Sequence, residues 1–262
     1  MIRRMCLRAG WSIFIAALLF SAVPGAGAPS GDSAGPARLS VVQIVTGMQS
    51  RNRMQDRVLR SYRTLRSYQV EYHGLGSISA QMRVEVSYDT ARGKRFQIVS
   101  QSGSKLLCDM VLKRAVESEI EASKDKNSTA LSPANYSFRM LGSGNVNGRT
   151  VYILGVEPLK PEKFLYRGTI WVDAASFGVV KIDAAPAKNP SFWISHAEIR
   201  VTNEFTDGFW LPEETRSWSN VRLGGRALLT IDYGRYQIAS PVPVAGQQLL
   251  PAEGALASVS AQ

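Results

Sequence analysis

The sequence predicts an α+β fold dominated by one large antiparallel sheet. Three observations predict it. From Gly148 to Tyr236, short β-rich runs alternate with turn signals, the pattern of an antiparallel meander. Helical periodicity appears in only two places, so helices interrupt the sheet rather than alternate with its strands, which argues against βαβ units. Four of the five tryptophans, Trp171, Trp193, Trp210 and Trp218, fall inside the meander. That much bulky apolar area on one sheet implies either a thick core or an apolar cavity.

The elements follow in order. Ser40 is placed as a helix N-cap. Val41, Ile44, Val45 and Met48 open the helix, and Val58, Leu59, Tyr62 and Leu65 continue it on a similar face. Gln49 to Arg57 is polar all round, so the segment reads as one long helix or as two with a break near Asn52. Ser67 to Gly76 and Gln81 to Tyr88 alternate as strands, with Val70 and Tyr72, then Met82, Val84, Val86 and Tyr88, sharing faces. Thr90 to Gly93 turns the chain, and Phe96 and Ile98 begin a third strand. Lys105 to Asp125 returns to helical spacing through Leu106, Met110, Val111, Ala115 and Ile120, with a highly charged second half.

Lys126 to Asn135 reads as a loop, and Tyr136 to Leu141 as a strand ended by a Gly142 to Gly148 turn region. The meander then comprises Val151 to Val156, Phe164 to Val172, Phe177 to Ala184, Ala197 to Phe205, Phe209 to Leu211 and Ala227 to Ile238. Ala174-Ala175-Ser176, Thr206-Asp207-Gly208 and Gly224-Gly225 separate its members. Several strands carry large apolar groups on both faces: Phe164, Tyr166, Ile170 and Val172 on one, Leu165 and Trp171 on the other. A sheet with solvent on one side alternates more cleanly, so either helices cover one face or a concave side holds a ligand.

The ends of the chain read differently. Residues 1–28 have the layout of a signal peptide: Arg3, Arg4 and Arg8, the apolar run Trp11 to Val23, then Ala26-Gly27-Ala28. Pro29 directly after that site disfavours the cut, which leaves a cleaved leader or a retained anchor as the two outcomes. Residues 29–38 form a Gly/Pro/Ser/Ala tether, 39–240 the folded domain and 241–262 a disordered tail. No second apolar run of about 20 residues follows, so no transmembrane segment is expected once the leader is removed. Without Cys6 of the leader only Cys108 remains, either a buried small hydrophobe or a reactive thiol, and no internal disulfide can form.

The net charge of +10 is local. Seven arginines against Asp56 stand between Arg38 and Arg66, whereas residues 67–262 are nearly balanced with 21 basic and 19 acidic side chains. This argues against nucleic-acid binding. Arg53, Arg57 and Arg60 form either a solvated face or a surface for anionic headgroups or an acidic protein partner.

Catalytic patterns are sparse. His73 and His196 have no metal-spaced partner, and HExxH, CxxC and GxSxG are missing. Ser102 to Lys105 and Ser123 to Lys126 match SxxK, but the KTG that should accompany it does not occur. Asp173, Asp183, Glu198, Asp207 and Asp232 suit turns and surface ion pairs better than a paired carboxylate site. No enzyme activity is expected.

The stretches GRTVYILGVEP, FLYRGTIWVDAASFGVVKIDA and KNPSFW carry a resemblance. Across roughly Leu39 to Ile238 the chain resembles the periplasmic outer-membrane lipoprotein-sorting (Lol-type carrier) superfamily. Ile170 to Asp173, Val179 to Ile182 and Lys188 to Trp193 are the most specific parts. The resemblance implies a strongly twisted antiparallel sheet forming an unclosed half β-barrel, with helices across its concave face. It further implies a periplasmic carrier, without cofactor or metal, that shields the acyl chains of a lipoprotein or another lipid-like ligand. Met82, Met110, Met140, Phe164, Ile170, Trp171, Phe192, Trp193 and Trp210 are the expected cavity liners. The alternative is an envelope sensor or scaffold of the same fold that meets a protein partner through Arg53, Arg57 and Arg60.

Overall fold

The computed structural model describes residues 39–239 except 75, 190 and 223. The expected signal peptide, tether and tail lie outside the described residues. Helix α1 spans Val41–Val58, followed by strands β1 (Ser61–His73), β2 (Ser77–Asp89) and β3 (Gly93–Gly103). A helical segment comes next: α2 (Lys105–Leu107), a π-helical turn (Cys108–Leu112), α3 (Lys113–Ser123) and α4 (Lys126–Thr129). The remainder is β4 (Tyr136–Val146), β5 (Arg149–Pro158), β6 (Tyr166–Asp173), β7 (Val179–Pro186), β8 (Ile194–Thr206), β9 (Phe209–Val221), β10 (Arg226–Tyr233) and β11 (Gln237–Ala239).

All eleven strands belong to one antiparallel sheet, ordered β3-β2-β1-β10-β9-β8-β7-β6-β5-β4, with β11 also paired to β1. The sheet does not close: β3 and β4 are its two ends. This is the unclosed α+β half-barrel that the resemblance implied. The helical segment joins one end to the other.

The register fixes which side chains share a face. Tyr68 sits opposite Met82 and Ile231, and Ile231 opposite Thr215. Thr215 faces Val201, Val201 faces Ile182, Ile182 faces Ile170, Ile170 faces Leu154 and Leu154 faces Met140. Opposed residues point to the same side, so this row runs along a single face, here called inner. Both helical covers lie on it. Helix α1 buries Ile44, Val45 and Met48 against Tyr136, Leu154, Val156, Ile170 and Val172. The α2–α3 segment buries Leu107, Cys108, Leu112 and Val116 against Tyr68, Val70, Met82, Val84 and Val86.

Ser40 caps α1 as expected, and Gln43 completes a capping box by accepting from the Ser40 N–H at 2.8 Å. The helix is single and does not break at Asn52, but it stops at Val58 rather than running to Leu65. Val58, Leu59, Tyr62 and Leu65 have helical spacing, yet Tyr62, Thr64, Arg66, Tyr68 and Val70 alternate with period two and are all buried. The longer strand pattern wins because it extends the buried row along thirteen residues. Strand β9 is likewise far longer than Phe209 to Leu211, since its second half alternates small polar residues inward with Trp218 outward. Strand β4 runs through Gly142 on a bulge, and the turn itself is Asn147-Gly148. That dipeptide and Asp207-Gly208 both have positive φ at each residue, as type I′ hairpin turns require.

Phe177 adopts φ 57° and its ring fills the space over Gly47 of α1. One residue on, Gly178 lies under Trp210. A Cβ on Gly178 would overlap the Trp210 indole at Cδ1 and Nε1, so the ring or the backbone has to shift. Gly178→Ala should destabilise the fold by about 1–3 kcal/mol through overpacking, read as a lowered urea midpoint at unchanged slope. An unchanged midpoint would show that Trp210 can move away.

Candidate functional site

Between its two covers the inner face is only partly roofed. Ile182 and Ala184 of β7, Ile199 and Val201 of β8, and Ala227 and Leu229 of β10 point inward and are half-buried, with Ala197 fully buried among them. Ile182 leans on the α1 core and Leu229 on the α2–α3 core, while Ile199 and Val201 belong to neither. Strand β9 crosses this strip with Thr215, Ser217 and Ser219. Small hydroxyl residues there keep the floor low and mildly polar, leaving a shallow trough flanked by aliphatic groups.

A charged cluster holds the edge of the α2–α3 cover. Arg66 of β1 is 1% exposed, and its Nη1 donates to Glu119 Oε2 of α3 at 2.7 Å. Lys94 of β3 donates to Glu119 Oε1 at 3.1 Å. Tyr233 lies under the guanidinium with its centroid 4.5 Å away, and Phe96 flanks it at 5.9 Å. Burial pulls Arg66 down, but Glu119 beside it outweighs this and the group is held above its ordinary value. Burial pushes Glu119 up, yet Lys94 and Arg66 together keep it below the usual carboxylate value of 4.5. Arg66 Nε and the Tyr68 hydroxyl find no hydrogen-bond partner among the described residues.

The second cover is held through polar groups at its other end. Gln55 donates to the Trp210 carbonyl at 3.1 Å and accepts the Trp210 N–H at 3.2 Å. It thereby takes the place of a neighbouring strand where β10 no longer pairs with β9. Arg51 donates to the Gly208 carbonyl.

The expected cavity liners are not brought together in one place. Met82 and Ile170 are buried in the two separate cores. Met140 is on the inner face near the β4 end of the sheet and is 39% exposed. Met110 is exposed on the helical segment, and Phe164 precedes β6 beneath the Lys163 ammonium. Trp171 lies on the outer face with Lys181 Nζ 4.4 Å above its ring, in a satellite cluster with Val151, Val180 and Trp210. Phe192 and Trp193 are exposed in the β7–β8 loop. The trough residues Ile199 and Val201 escaped the sequence reading because they are ordinary aliphatics in a strand; the signal available was their alternation with Glu198, Arg200 and Thr202. Arg66 escaped it too, counted among the arginines of a helix that ends before it.

The outer face is polar. Asp183 bridges Lys181 and Arg200 at 2.6 and 2.7 Å, and Arg200 covers the Trp218 ring. Two depressions of about 330 and 300 Å³ indent this face, over Gly155 and over Gly168 with Ala184. Both are rimmed by charged groups such as Arg139, Glu157, Arg167, Asp183 and Glu198, so neither is an apolar enclosure. Asp173 does turn chemistry: its Oδ1 accepts from the Ser176 N–H at 2.8 Å and from the Ser176 hydroxyl at 2.6 Å. His73 bonds Ser77 across the exposed end of the β1–β2 hairpin, and His196 meets Glu198 on the surface. His196 stands on the rim of the second depression beside Glu198, whereas His73 lines neither. Cys108 is buried with its Sγ 3.6 Å from the Ser102 carbonyl, a structural position. Among the described residues no group of three or more His, Cys, Asp or Glu is arranged to hold a metal ion, and no helix is long and apolar enough to cross a membrane.

No protein-family profile and no curated protein sequence matches the chain. Solved structures of similar build include a DUF1329-family protein from Desulfovibrio piger, 16% identical, covering 76% of this chain and 95% of that one with a TM-score of 0.37. A putative outer membrane lipoprotein-sorting protein domain from Vibrio parahaemolyticus is 12% identical over 78% of this chain and 94% of its own, with a TM-score of 0.39. A LolA-superfamily protein from Nitrosomonas europaea is 11% identical over 79% and 96%, with a TM-score of 0.35.

Glu119→Gln leaves a buried guanidinium unpaired and should cost about 3 kcal/mol, whereas Arg66→Met combined with Glu119→Leu should recover most of that loss. Because Glu119 is held below its ordinary value, its contribution is complete above that value and is lost as pH falls through the lowered one. Urea titrations of wild type and Glu119→Gln should therefore converge in acid and diverge toward neutrality. A constant gap would mean that Glu119 is not the titrating group.

Proposed function

We propose that this chain is a binding or carrier protein of the periplasm that shelters an acyl chain or another apolar ligand along the inner trough, between α1 and the α2–α3 cover. The observation that carries this reading is the aliphatic strip through Ile199 and Val201. It lies on the same face as both cores, yet it belongs to neither and stays half-open to solvent. Each methylene withdrawn from water stabilises a complex by about 0.8 kcal/mol, so a modest length of acyl chain laid along this strip gives useful affinity. On the outward side of β7 and β8, Lys181 and Arg200 both pair with Asp183, while Ile182, Ile199 and Val201 of the same strands point inward.

A fluorescent fatty acid tests the reading. Wild type should take it up and enhance its emission, and Ile199→Asn with Val201→Asn should weaken uptake about tenfold or more, while the outward Thr202→Asn does not. No uptake by wild type would reject the proposal, and equal uptake by wild type and both variants would move the ligand elsewhere.

A second reading rests on a different surface. Arg53, Arg57 and Arg60 are exposed, and the nearby Asp56 is engaged by Lys126 at 3.3 Å rather than by an arginine. Their free charge suits an acidic envelope protein. Reversal of all three to Glu should abolish co-purification of such a partner from envelope extracts without altering fatty-acid uptake; co-purification that survives the reversal removes this reading.

A further inference from the structure

We propose that the rim formed by the β7–β8 and β9–β10 loops docks on an anionic lipid bilayer. Phe192 is 75% exposed and Trp193 51%, which makes Phe192 the most exposed large apolar side chain among the described residues. Isolated exposed hydrophobes are ordinary on protein surfaces. Two neighbouring rings at a loop tip, held in place, are not.

Their presentation is built by the loop alongside. The Arg222 N–H donates to the Trp193 carbonyl at 2.8 Å, and Arg222 Nε donates to the Phe192 carbonyl at 2.6 Å. The Ser191 hydroxyl accepts the Trp193 N–H at 3.2 Å, and the Ser191 carbonyl accepts the Ile194 N–H at 3.1 Å. The two rings meet edge to face at 5.5 Å, and the Arg222 guanidinium stands 5.3 Å from the Phe192 centroid. The β1–β2 hairpin braces the supporting loop through the Tyr72 hydroxyl, which donates to the Gly224 carbonyl at 2.8 Å. The backbone of the tip is thus fixed while its rings stay in water.

The two chain stretches that build the tip carry charge of one sign. Residues 184–197 contain Lys188 and no acid, and residues 215–231 contain Arg216, Arg222 and Arg226 and no acid. Lys188, Arg222 and Arg226 are exposed beside the tip. Aromatic rings with basic side chains behind them suit the bilayer interface: the rings reach the headgroup and upper acyl region while the cations meet phosphate. A lipid surface fits this tip better than an acidic protein because both rings are exposed in a loop between strands, with basic side chains beside them. Neither ring lines either of the two surface depressions, where a protein side chain would seat. Docking of this rim does not depend on what the inner trough holds.

The test is binding of the full chain to phosphatidylcholine vesicles with and without phosphatidylglycerol, with brominated acyl chains as quenchers. Wild type should bind the anionic vesicles, with weaker binding as salt rises, and part of its tryptophan emission should be quenched. Trp193→Phe should lose that quenched component while still binding, so the quench reports this tip whatever other segments contribute. Phe192→Ala with Trp193→Ala, and separately Lys188→Glu with Arg226→Glu, should each lower partitioning about tenfold or more. The proposal fails if anionic vesicles give no quench that depends on Trp193. It fails equally if neither double variant weakens binding, or if the tip captures an acidic protein in the absence of any bilayer quench.

Discussion

An open sheet has one face that must be covered, and here ten strands in a row share it while only two helical covers are available. The connectivity decides where the covers fall. Helix α1 enters from the N-terminus and lies over β4, β5 and β6; the segment between β3 and β4 has to travel from one end of the sheet to the other and roofs β1, β2 and β3 on the way. What is left between them is the stretch over β7, β8, β9 and β10. The trough is therefore a result of topology before it is a result of any particular side chain. Cys108, Leu112 and Val116 keep four-residue spacing along this cover and all three face the sheet.

A cover that crosses a curved sheet needs fixed points, and polar groups provide them. Arg66 is the largest fully buried side chain, an expensive choice unless its charge is met. Glu119 meets it from α3, and Lys94 shares that carboxylate from the neighbouring end strand. Because the cluster joins β1, β3 and α3, shifting the cover would strand two cations at once. Gln55 fixes α1 by a different route, through a backbone edge that the sheet leaves unpaired. One cover is thus held by charge and the other by hydrogen bonds, so acid should loosen them unequally.

Much of this was legible in the sequence where pattern and turn chemistry agreed. Ser40 and Gln43 announce a capped helix, and Asp207-Gly208 sets a hairpin because only its residue types tolerate positive φ at both positions. The start of β1 was illegible because residues 58 to 65 satisfy both periods, and only pairing with β2 and β10 decides between them. The site was harder to read than the fold. Large aromatics attract attention as cavity liners, yet Trp171 is turned outward under Lys181 and Met82 is packed into a core. The residues that do lie along the trough are plain aliphatics. What distinguishes them is the missing roof above them, a property of the whole sheet that no local window contains.

The pairing of β1 with β10 carries a consequence for how the chain finds its fold. Every other strand in the row pairs with its sequence neighbour except across this one seam, where Arg66 meets Tyr233 and His73 meets Arg226. Hairpins on either side can form from nearby residues, but the seam must close a loop that contains the whole helical segment and eight intervening strands. Loop closure of that length carries an entropic penalty that no local turn offsets. The molecule thus divides in time where it does not divide in space: an N-terminal hairpin pair and a C-terminal meander can each take shape early, and the sheet becomes one only when its first strand is captured beside its tenth.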